Sequence, residues 1–265
     1  MSRPGLTITY VVKDEEEFFP FSLRSVHNVA DEVVVVDNGS RDRTPEIALS
    51  FPRVRLYTSL CQDFSALRNL ALSKVQTEWV MVLDADEVFY SLVEDVVPRL
   101  LEVPEVDGYT CWFYHLMRSF YYMQNREDKD PQYRRIFLFR LTPGVRYVGA
   151  VHERLVGLGP SIRDSGLHYV HYGYTKSPVL ILERWKHYAR LSGRADPYPG
   201  VDPEHILDGR PLHPFRRPHP EVIRAYVESR AAELAAQGHK LYRPPPPDPE
   251  EELTAQQGVE PRGCT

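Results

Sequence analysis

The first 90 residues alternate between short runs of β-branched residues and stretches that suit helices. Strands are predicted at residues 6–12, 32–36, 54–57 and 79–83, with helices between them at 15–28, 44–50 and 65–74. Strand and helix in alternation at this spacing predict βαβ units, whose strands lie parallel in one sheet. We therefore expect an α/β fold with a Rossmann-like, mostly parallel sheet flanked by helices.

Polar side chains follow three of these strands at the point where each strand ends. They are Lys13 to Glu16, Asp37 to Ser40, and Asp84 to Glu87. Open parallel sheets bind their ligands in the crevice at the carboxyl ends of the strands. The three clusters therefore predict a ligand site at that edge of the sheet.

Composition excludes several classes of protein. The chain has 265 residues, enough for one large domain or one domain with a small appendage, and a net charge of -5 that argues against binding nucleic acid through its phosphates. No apolar run approaches the roughly 20 residues of a transmembrane helix, and Met1 to Gly5 is too short and polar for a secretory signal. Its three cysteines fit no disulfide or zinc pattern. We expect a cytoplasmic protein whose membrane contact, if any, is peripheral.

Asp84-Ala85-Asp86 is the cluster with the clearest chemistry. Two carboxylates at the end of a buried strand are costly unless a cation or water reaches them. Mg²⁺ and Mn²⁺ prefer such oxygen ligands and complete their shells with substrate phosphates. The alternatives are a solvated acidic loop and a cluster of charges at the N-terminus of a helix before Leu92.

Asp37 and Arg68 are the next candidates. A carboxylate at the position of Asp37 suits a base or ribose hydrogen bond, and it also suits a cap on the turn at Asn38-Gly39. Arg68 lies about one turn into a helix capped by Ser65, where its guanidinium could meet a diphosphate or form a salt bridge with Asp63.

Three segments together resemble the family 2 glycosyltransferases, in that family's order and spacing. They are Val35-Val36-Asp37-Asn38-Gly39-Ser40-Arg41-Asp42-Arg43-Thr44, Phe64-Ser65-Ala66-Leu67-Arg68-Asn69 and Trp79-Val80-Met81-Val82-Leu83-Asp84-Ala85-Asp86-Glu87. The resemblance covers about the first 115 residues. It implies a GT-A fold, a nucleotide-sugar donor, a Mn²⁺ or Mg²⁺ ion and inversion at the anomeric carbon. One departure is Asp14, where related sequences often carry asparagine.

The resemblance also implies roles for single residues. Asp84 corresponds to a ribose or metal contact, Asp86 to a metal ligand and Arg68 to a base or phosphate contact. The residues expected to bind the nucleotide sugar are Thr9, Tyr10, Val11, Asp37, Arg68, Asp84, Ala85 and Asp86.

An inverting transfer needs a base that takes the acceptor's proton. Gly149 to Leu155 resembles a His-Glu motif of one branch of the family, which makes Glu153 the candidate. The alternative for Glu153 is a structural ion pair with Arg154 or Arg135. Weaker rivals for the base are Asp107, Glu127 and Asp128, and His152 is expected to be a packed residue.

Two further histidines, His168 and His171, lie in a segment of strand-like composition, which would place them on opposite faces. Many GT-A enzymes supply a late histidine to the metal, and His171 is the candidate here; the alternative is that both histidines bond to backbone or carboxylate groups.

The aromatic stretch 112–122 suits either the hydrophobic core or acceptor binding. The basic run 213–219 suits a solvated loop better than an acidic ligand.

Together these features predict a metal-dependent glycosyltransferase. Its donor would be a UDP- or GDP-linked sugar, and its acceptor a glycan, a lipid-linked glycan or a small molecule. The expected division is a GT-A domain at 1–175 (nucleotide-sugar half 1–115, acceptor half 116–175), a helical extension at 176–240 and a flexible tail at 241–265. The alternatives are a nucleotidyltransferase and a non-catalytic binding module with a degenerate site.

Overall fold

The computed structural model describes residues 3–124, 133–210, 212–239 and 242–244. Two of the rival bases, Glu127 and Asp128, lie outside these ranges, as does nearly all of the predicted tail. None of the helices in the described ranges is long and apolar enough to cross a lipid bilayer.

Twelve strands and six α-helices make up the described chain. The strands are β1 (Leu6–Val12), β2 (Glu32–Asp37), β3 (Val54–Thr58), β4 (Trp79–Leu83), β5 (Glu87–Phe89), β6 (Gly108–Met117), β7 (Tyr122–Met123), β8 (Arg134–Arg140), β9 (Arg146–Val148), β10 (Arg154–Val156), β11 (Ile162–Tyr174) and β12 (His213–Pro214). The helices are α1 (Phe19–Val26), α2 (Thr44–Leu49), α3 (Phe64–Ser73), α4 (Val93–Leu101), α5 (Pro178–Leu191) and α6 (Glu221–Ala236), with a 3-10 helix at Pro203–His205.

A single mixed sheet of ten strands organises the molecule, and β9 and β10 form a separate hairpin. β1 lies between β2 and β4, and β3 follows β2; these four strands are parallel. On the other side β8 runs antiparallel to β4 and β6, and β11 runs parallel to β6 and antiparallel to β5. The predicted α/β fold with a mostly parallel sheet between helices is confirmed.

The sheet is covered by apolar side chains on both faces. The largest buried cluster joins β1, β2 and β4 to α1 and α4. A second cluster joins Phe18 and Tyr172 to Ile223 and Val227 of α6. Residues predicted as a separate extension therefore share a core with the sheet, and the domain boundaries stay predictions.

The helix starts differ from the expected ones. Asp63, not Ser65, caps α3, because its Oδ1 accepts a hydrogen bond of 3.1 Å from the backbone N–H of Ala66. Helix α2 begins at Thr44, whose hydroxyl donates to Asp42 instead of capping the helix. Helix α1 begins at Phe19 rather than Glu15, with Pro20 in its first turn. In α3 the capping position is thus occupied by the carboxylate of Asp63, two residues before Ser65.

The segment before α6 is held to the sheet by a buried histidine, which leads to a stability prediction. His219 Nδ1 lies 2.8 Å from the hydroxyl of Tyr172, and burial lowers the pKa of His219 to about 4. The unfolded chain then binds more protons than the folded one between pH about 6.5 and 4, so stability should fall as pH falls through that window. The loss should total about 3 kcal/mol, since one pKa unit corresponds to about 1.4 kcal/mol.

Urea unfolding followed from pH 7.5 to 4 measures this dependence. A His219→Gln variant cannot take up the proton and should lose the corresponding slope, whereas His239→Gln, at the end of the exposed turn after α6, should keep it. Equal slopes for His219→Gln and the unchanged protein would contradict the assignment.

Candidate active site

The three polar clusters of the sequence meet at one edge of the sheet. In the strand register Val12 lies opposite Asp37, and Tyr10 lies opposite Leu83, so β1, β2 and β4 end side by side. Each of these strands is followed at once by a turn, and the polar residues lie at the strand end and in that turn. The predicted convergence is confirmed by the register.

Arg68 bridges the first aspartate of the acidic motif to the candidate base. Its Nη2 donates to Asp84 Oδ1 at 2.8 Å, and its Nε donates to Glu153 Oε1 at 2.5 Å. Desolvation opposes ionisation of Asp84, but the guanidiniums of Arg68 and of Arg135, at 3.7 Å, outweigh it and lower the pKa of Asp84. The salt bridge suggested for Arg68 exists, with Asp84 and Glu153 as partners in place of Asp63.

Asp86 is buried and faces three nitrogen-bearing side chains. Lys176 Nζ lies 3.2 Å and Arg184 Nη1 3.6 Å from its Oδ2, and His171 Nε2 lies 3.4 Å from its Oδ1. Desolvation raises the pKa of Asp86, yet the charges of Lys176 and His171 overcome it and hold that pKa well below its usual value. The second aspartate of the motif is therefore an ionised carboxylate in a cationic pocket.

His171 is held in place from its other side. Its Nδ1 lies 3.0 Å from Nδ1 of His115, and the two rings stack with centroids 4.7 Å apart. The absence of a side chain at Gly173 lets His171 and Asp86 lie close to the backbone there. A Cβ at that position would lie 2.7 Å from the His171 ring and 2.8 Å from Asp86 Oδ2. The expectation that a strand separates the two histidines also holds: His168 stacks on Tyr114, on the opposite face of β11.

Asp86 and His171 suit a divalent cation in type and orientation. A carboxylate oxygen and an imidazole nitrogen face each other, and the second imidazole nitrogen is fixed by a neighbour, as metal-ligating histidines usually require. Within the described ranges, no three His, Cys, Asp or Glu side chains stand close enough to bind a metal by themselves. A metal held here would therefore need further ligands from substrate phosphates and water, as Mg²⁺ commonly does.

Glu87 stabilises the backbone of the acidic motif. Its Oε2 accepts a hydrogen bond of 2.9 Å from the backbone N–H of Asp84, and it is paired with Arg135. Burial raises the pKa of Glu87 to about 7, against the pull of the Arg135 guanidinium. Glu87 therefore fixes the turn in which Asp84 and Asp86 stand.

The residues predicted on β1 and β2 are at the same edge but are partly engaged already. Asp37 accepts hydrogen bonds from the backbone N–H groups of Gly39 at 3.1 Å and Ser40 at 3.2 Å, which is the capping role considered for it. Thr9 is buried, and Tyr10 lies in the core with its hydroxyl 3.1 Å from Ser22 Oγ. Val11 is half-buried. Nucleotide contacts by these residues stay predictions.

The rivals of Glu153 are less well placed. Asp107 precedes β6, level with the start of β4, and its carboxylate accepts a hydrogen bond of 2.8 Å from Ser161. It therefore lies at the opposite edge of the sheet from Asp84. His152 is exposed and has a left-handed backbone (φ 55°). The ion pair of Glu153 is formed with Arg68, so the suggested partners Arg154 and Arg135 were wrong.

Three charged residues at the site escaped the sequence analysis. Glu15 is paired with both Lys176 and Arg184. Arg184 belongs to α5, whose Tyr188 packs on Phe64 at the start of α3. Glu15 stood in the acidic cluster after β1 and could have been chosen. Lys176 and Arg184 lie in no motif, and no sequence signal marks them.

The aromatic stretch and the basic run contribute side chains to the hydrophobic core. In the aromatic stretch Tyr114 and Phe120 are buried in the second core cluster, and in the basic run Phe215 joins the same cluster. A cavity of about 570 Å³ lies between α5, the 3-10 helix and α6, with Lys176 in its wall.

Comparisons with known proteins agree with these features. The model of the family described as "Glycosyl transferase family 2" matches residues 7–151. A TPR repeat-containing protein of Synechococcus elongatus is 34% identical over 148 residues, which cover 56% of this chain and 34% of the relative. Glycosyltransferase SunS of Bacillus subtilis, derived from the SPbeta prophage, is 27% identical over 179 residues, covering 66% of this chain and 41% of the relative. The chain thus spans about a third to two fifths of the length of these relatives.

Two solved structures overlap the chain in part. Mannosyl-3-phosphoglycerate synthase from Rubrobacter xylanophilus has a TM-score of 0.37 at 20% identity, covering 42% of this chain and 41% of that one. Glucosyl-3-phosphoglycerate synthase from Mycobacterium tuberculosis, in complex with Mn²⁺ and UDP-glucose, has a TM-score of 0.36 at 18% identity, covering 42% and 44%. The family match takes in the strand, helix and turn that carry Asp37, Arg68, Asp84 and Asp86, and by that match this chain belongs to glycosyl transferase family 2.

Proposed function

We propose that this chain transfers a sugar from a nucleoside-diphosphate sugar to an acceptor hydroxyl, with a divalent metal and with inversion. The observation that carries the proposal is the edge formed by β1, β2 and β4, where Asp84 and Asp86 stand among guanidinium, ammonium and imidazole groups. Such a site suits a diphosphate leaving group, whose negative charge grows as its bond to the sugar breaks. Membership of the family supports the same reaction class.

Asp86 and His171 are the residues that would hold the metal, with Asp84 beside them. Bound there, Mn²⁺ or Mg²⁺ would neutralise the charge of the leaving diphosphate. Arg68 holds Asp84 and Glu153 in fixed positions through separate nitrogens. Asp37, Thr9, Val11 and Ala85 would line the nucleoside side of the crevice, whereas the side chain of Tyr10 supports β1 from within the core.

Glu153 is the proposed base. Its side chain is 14% exposed, and Arg68 Nε binds only one of its two carboxylate oxygens, Oε1. A carboxylate in that position can accept the proton of an acceptor hydroxyl as the hydroxyl attacks the anomeric carbon from the face opposite the diphosphate. A single displacement of this kind inverts the anomeric configuration.

The geometry disfavours the nucleotidyltransferase alternative. Such an enzyme would cradle phosphates with free backbone N–H groups after β1. Here those of Asp14, Glu15 and Glu16 donate to the side chains of Ser40, Thr44 and Asp42, at 2.8–2.9 Å. The loop after β1 is thus closed by protein contacts and acidic.

Calorimetric titration with UDP, GDP, dTDP and CDP, each with and without Mn²⁺, tests the proposal. We expect one nucleotide to bind in the micromolar range, roughly -8 kcal/mol, and only when the metal is present. That result would also identify the base of the donor. Binding of none of the four under either condition would contradict a competent transferase and favour the non-catalytic module.

A further inference from the structure

Glu15, Asp86, Lys176 and Arg184 form a charge cluster that is buried except at Arg184. The two oxygens of Glu15 take one cation each: Oε2 is bonded to Lys176 Nζ, and Oε1 lies 2.8 Å from Arg184 Nη2. Both cations also face Oδ2 of Asp86, at 3.2 Å and 3.6 Å. Two carboxylates are thus balanced by two cations, and three of the four side chains are less than 10% exposed.

Stability alone explains such a cluster poorly. Removing ammonium and carboxylate groups from water costs about as much as their attraction returns, and apolar residues of similar size often stabilise a protein more. The cluster moreover joins three distant parts of the chain: the turn after β1, the acidic motif, and α5 with the residues just before it. These four side chains come together at the edge of the sheet where the donor site is proposed.

A metal bound between Asp86 Oδ1 and His171 Nε2 would stand close to the two cations at Oδ2 of the same carboxylate. A divalent ion repels a nearby ammonium or guanidinium group strongly where water is scarce. We expect the metal to drive Lys176 and Arg184 away from Asp86, while Glu15 continues to hold both of them. A diphosphate on the metal would then bring oxygens to where the displaced cations stand, and both cation types bind phosphate well.

We propose that Lys176 and Arg184 bind the diphosphate of the donor, that they rest on Asp86 when the site is empty of substrate, and that Glu15 is the residue that positions them. The proposal rests on the proposed function, because it assumes a nucleoside-diphosphate donor and a metal at Asp86. It gives α5 a role at the site: the helix carries Arg184 to Asp86, and its Tyr188 packs on Phe64 of α3, with ring centroids 5.5 Å apart.

The test uses two probes that do not depend on the unknown base, Mn²⁺ alone and inorganic pyrophosphate with Mn²⁺. In Lys176→Met we expect pyrophosphate affinity to fall about tenfold, the effect of one hydrogen bond to a charged group. Mn²⁺ alone should bind several-fold more tightly, because a competing cation has been removed from Asp86. Calorimetry measures the first quantity, and electron paramagnetic resonance of free Mn²⁺ the second.

Matched variants separate this role from a structural one. Lys186→Met also removes one lysine charge, from a residue of α5 that pairs with Asp196 at 3.5 Å. It should change neither the affinity for pyrophosphate nor the affinity for Mn²⁺. Lys176→Arg should recover most of the pyrophosphate binding. If Lys176→Met does not fold, the pair Glu15→Gln with Lys176→Met removes one charge of each sign, and it should show the same opposite changes in the two affinities.

The outcomes also distinguish this inference from the proposed function. If the unchanged protein binds Mn²⁺-pyrophosphate and folded Lys176 variants bind it equally well, the inference is overturned and the proposed function stands. If the unchanged protein binds neither pyrophosphate nor any nucleoside diphosphate with Mn²⁺, both are overturned. A parallel fall in both affinities would indicate a merely structural role for Lys176 and would also overturn the inference.

Discussion

Replacing Asp86 by asparagine is expected to abolish Mn²⁺-dependent binding of nucleoside diphosphates, with affinity falling at least about 100-fold, or roughly 2.7 kcal/mol. The reason is that Asp86 and His171 are the two residues placed to hold the metal, and an amide is a much weaker ligand for a hard cation than a carboxylate. Calorimetry with the nucleotide that the unchanged protein binds measures the loss.

The same substitution should lower the thermal stability. Asp86 accepts a hydrogen bond from Lys176 and forms an ion pair with Arg184, and removing one member of a buried charge cluster leaves the others less compensated. Asp164→Asn is the matched control: its carboxylate pairs with Arg134 at 2.9 Å on the exposed part of β11 and should matter little. A folded Asp86→Asn protein that keeps its Mn²⁺-dependent affinity would remove the metal assignment.

The first half of the fold was predictable because its signals are local. β1 and β4 were placed to the residue, and β2 and β3 end one residue beyond their predicted limits. Buried parallel strands are continuous apolar runs bounded by abrupt turns, so both the strand and its end are visible in the sequence. The same ends carry Asp37, Asp84 and Asp86, which is why these candidates could be named without a structure.

Residues that reach the site from far along the chain could not be predicted in this way. Lys176 and Arg184 meet Glu15 across 161 and 169 residues, and their spacing in the sequence carries no information about that contact. The partner of Glu153 was wrong for the same reason, since Arg68 reaches it across 85 residues. Charged side chains pair according to the folded geometry, and a single sequence shows the charges without the geometry.

The second half was harder to predict because its strands mix two environments. β6 extends to Met117, well into the aromatic stretch, and β11 begins at Ile162, where two charged residues are followed by Ser165 and Gly166. β11 carries His168 towards one face and His171 towards the other, so its pattern is neither a buried run nor a simple alternation. Tertiary pairing with β6, not local preference, sets its length.

Replacing Glu153 by glutamine should leave donor binding within about twofold and lower turnover by about 10²- to 10⁴-fold, the usual contribution of a general base. The amide oxygen of glutamine can still accept the hydrogen bond from Arg68 Nε, so Arg68 and Asp84 should keep their positions. What glutamine cannot do is take the proton of the attacking hydroxyl. Release of nucleoside diphosphate from the sugar donor, with water or an added sugar as the acceptor, measures the turnover, and calorimetry measures donor affinity.

Asp107→Asn supplies the comparison, since Asp107 lies at the opposite edge of the sheet and its amide could still accept from Ser161. We expect near-normal turnover from that variant. Turnover that survives in Glu153→Gln would move the base elsewhere and leave Glu153 as a residue that orients Arg68. Loss of donor binding together with turnover would assign Glu153 to that same structural role, because a base that acts only on the acceptor contributes nothing to the affinity of the donor.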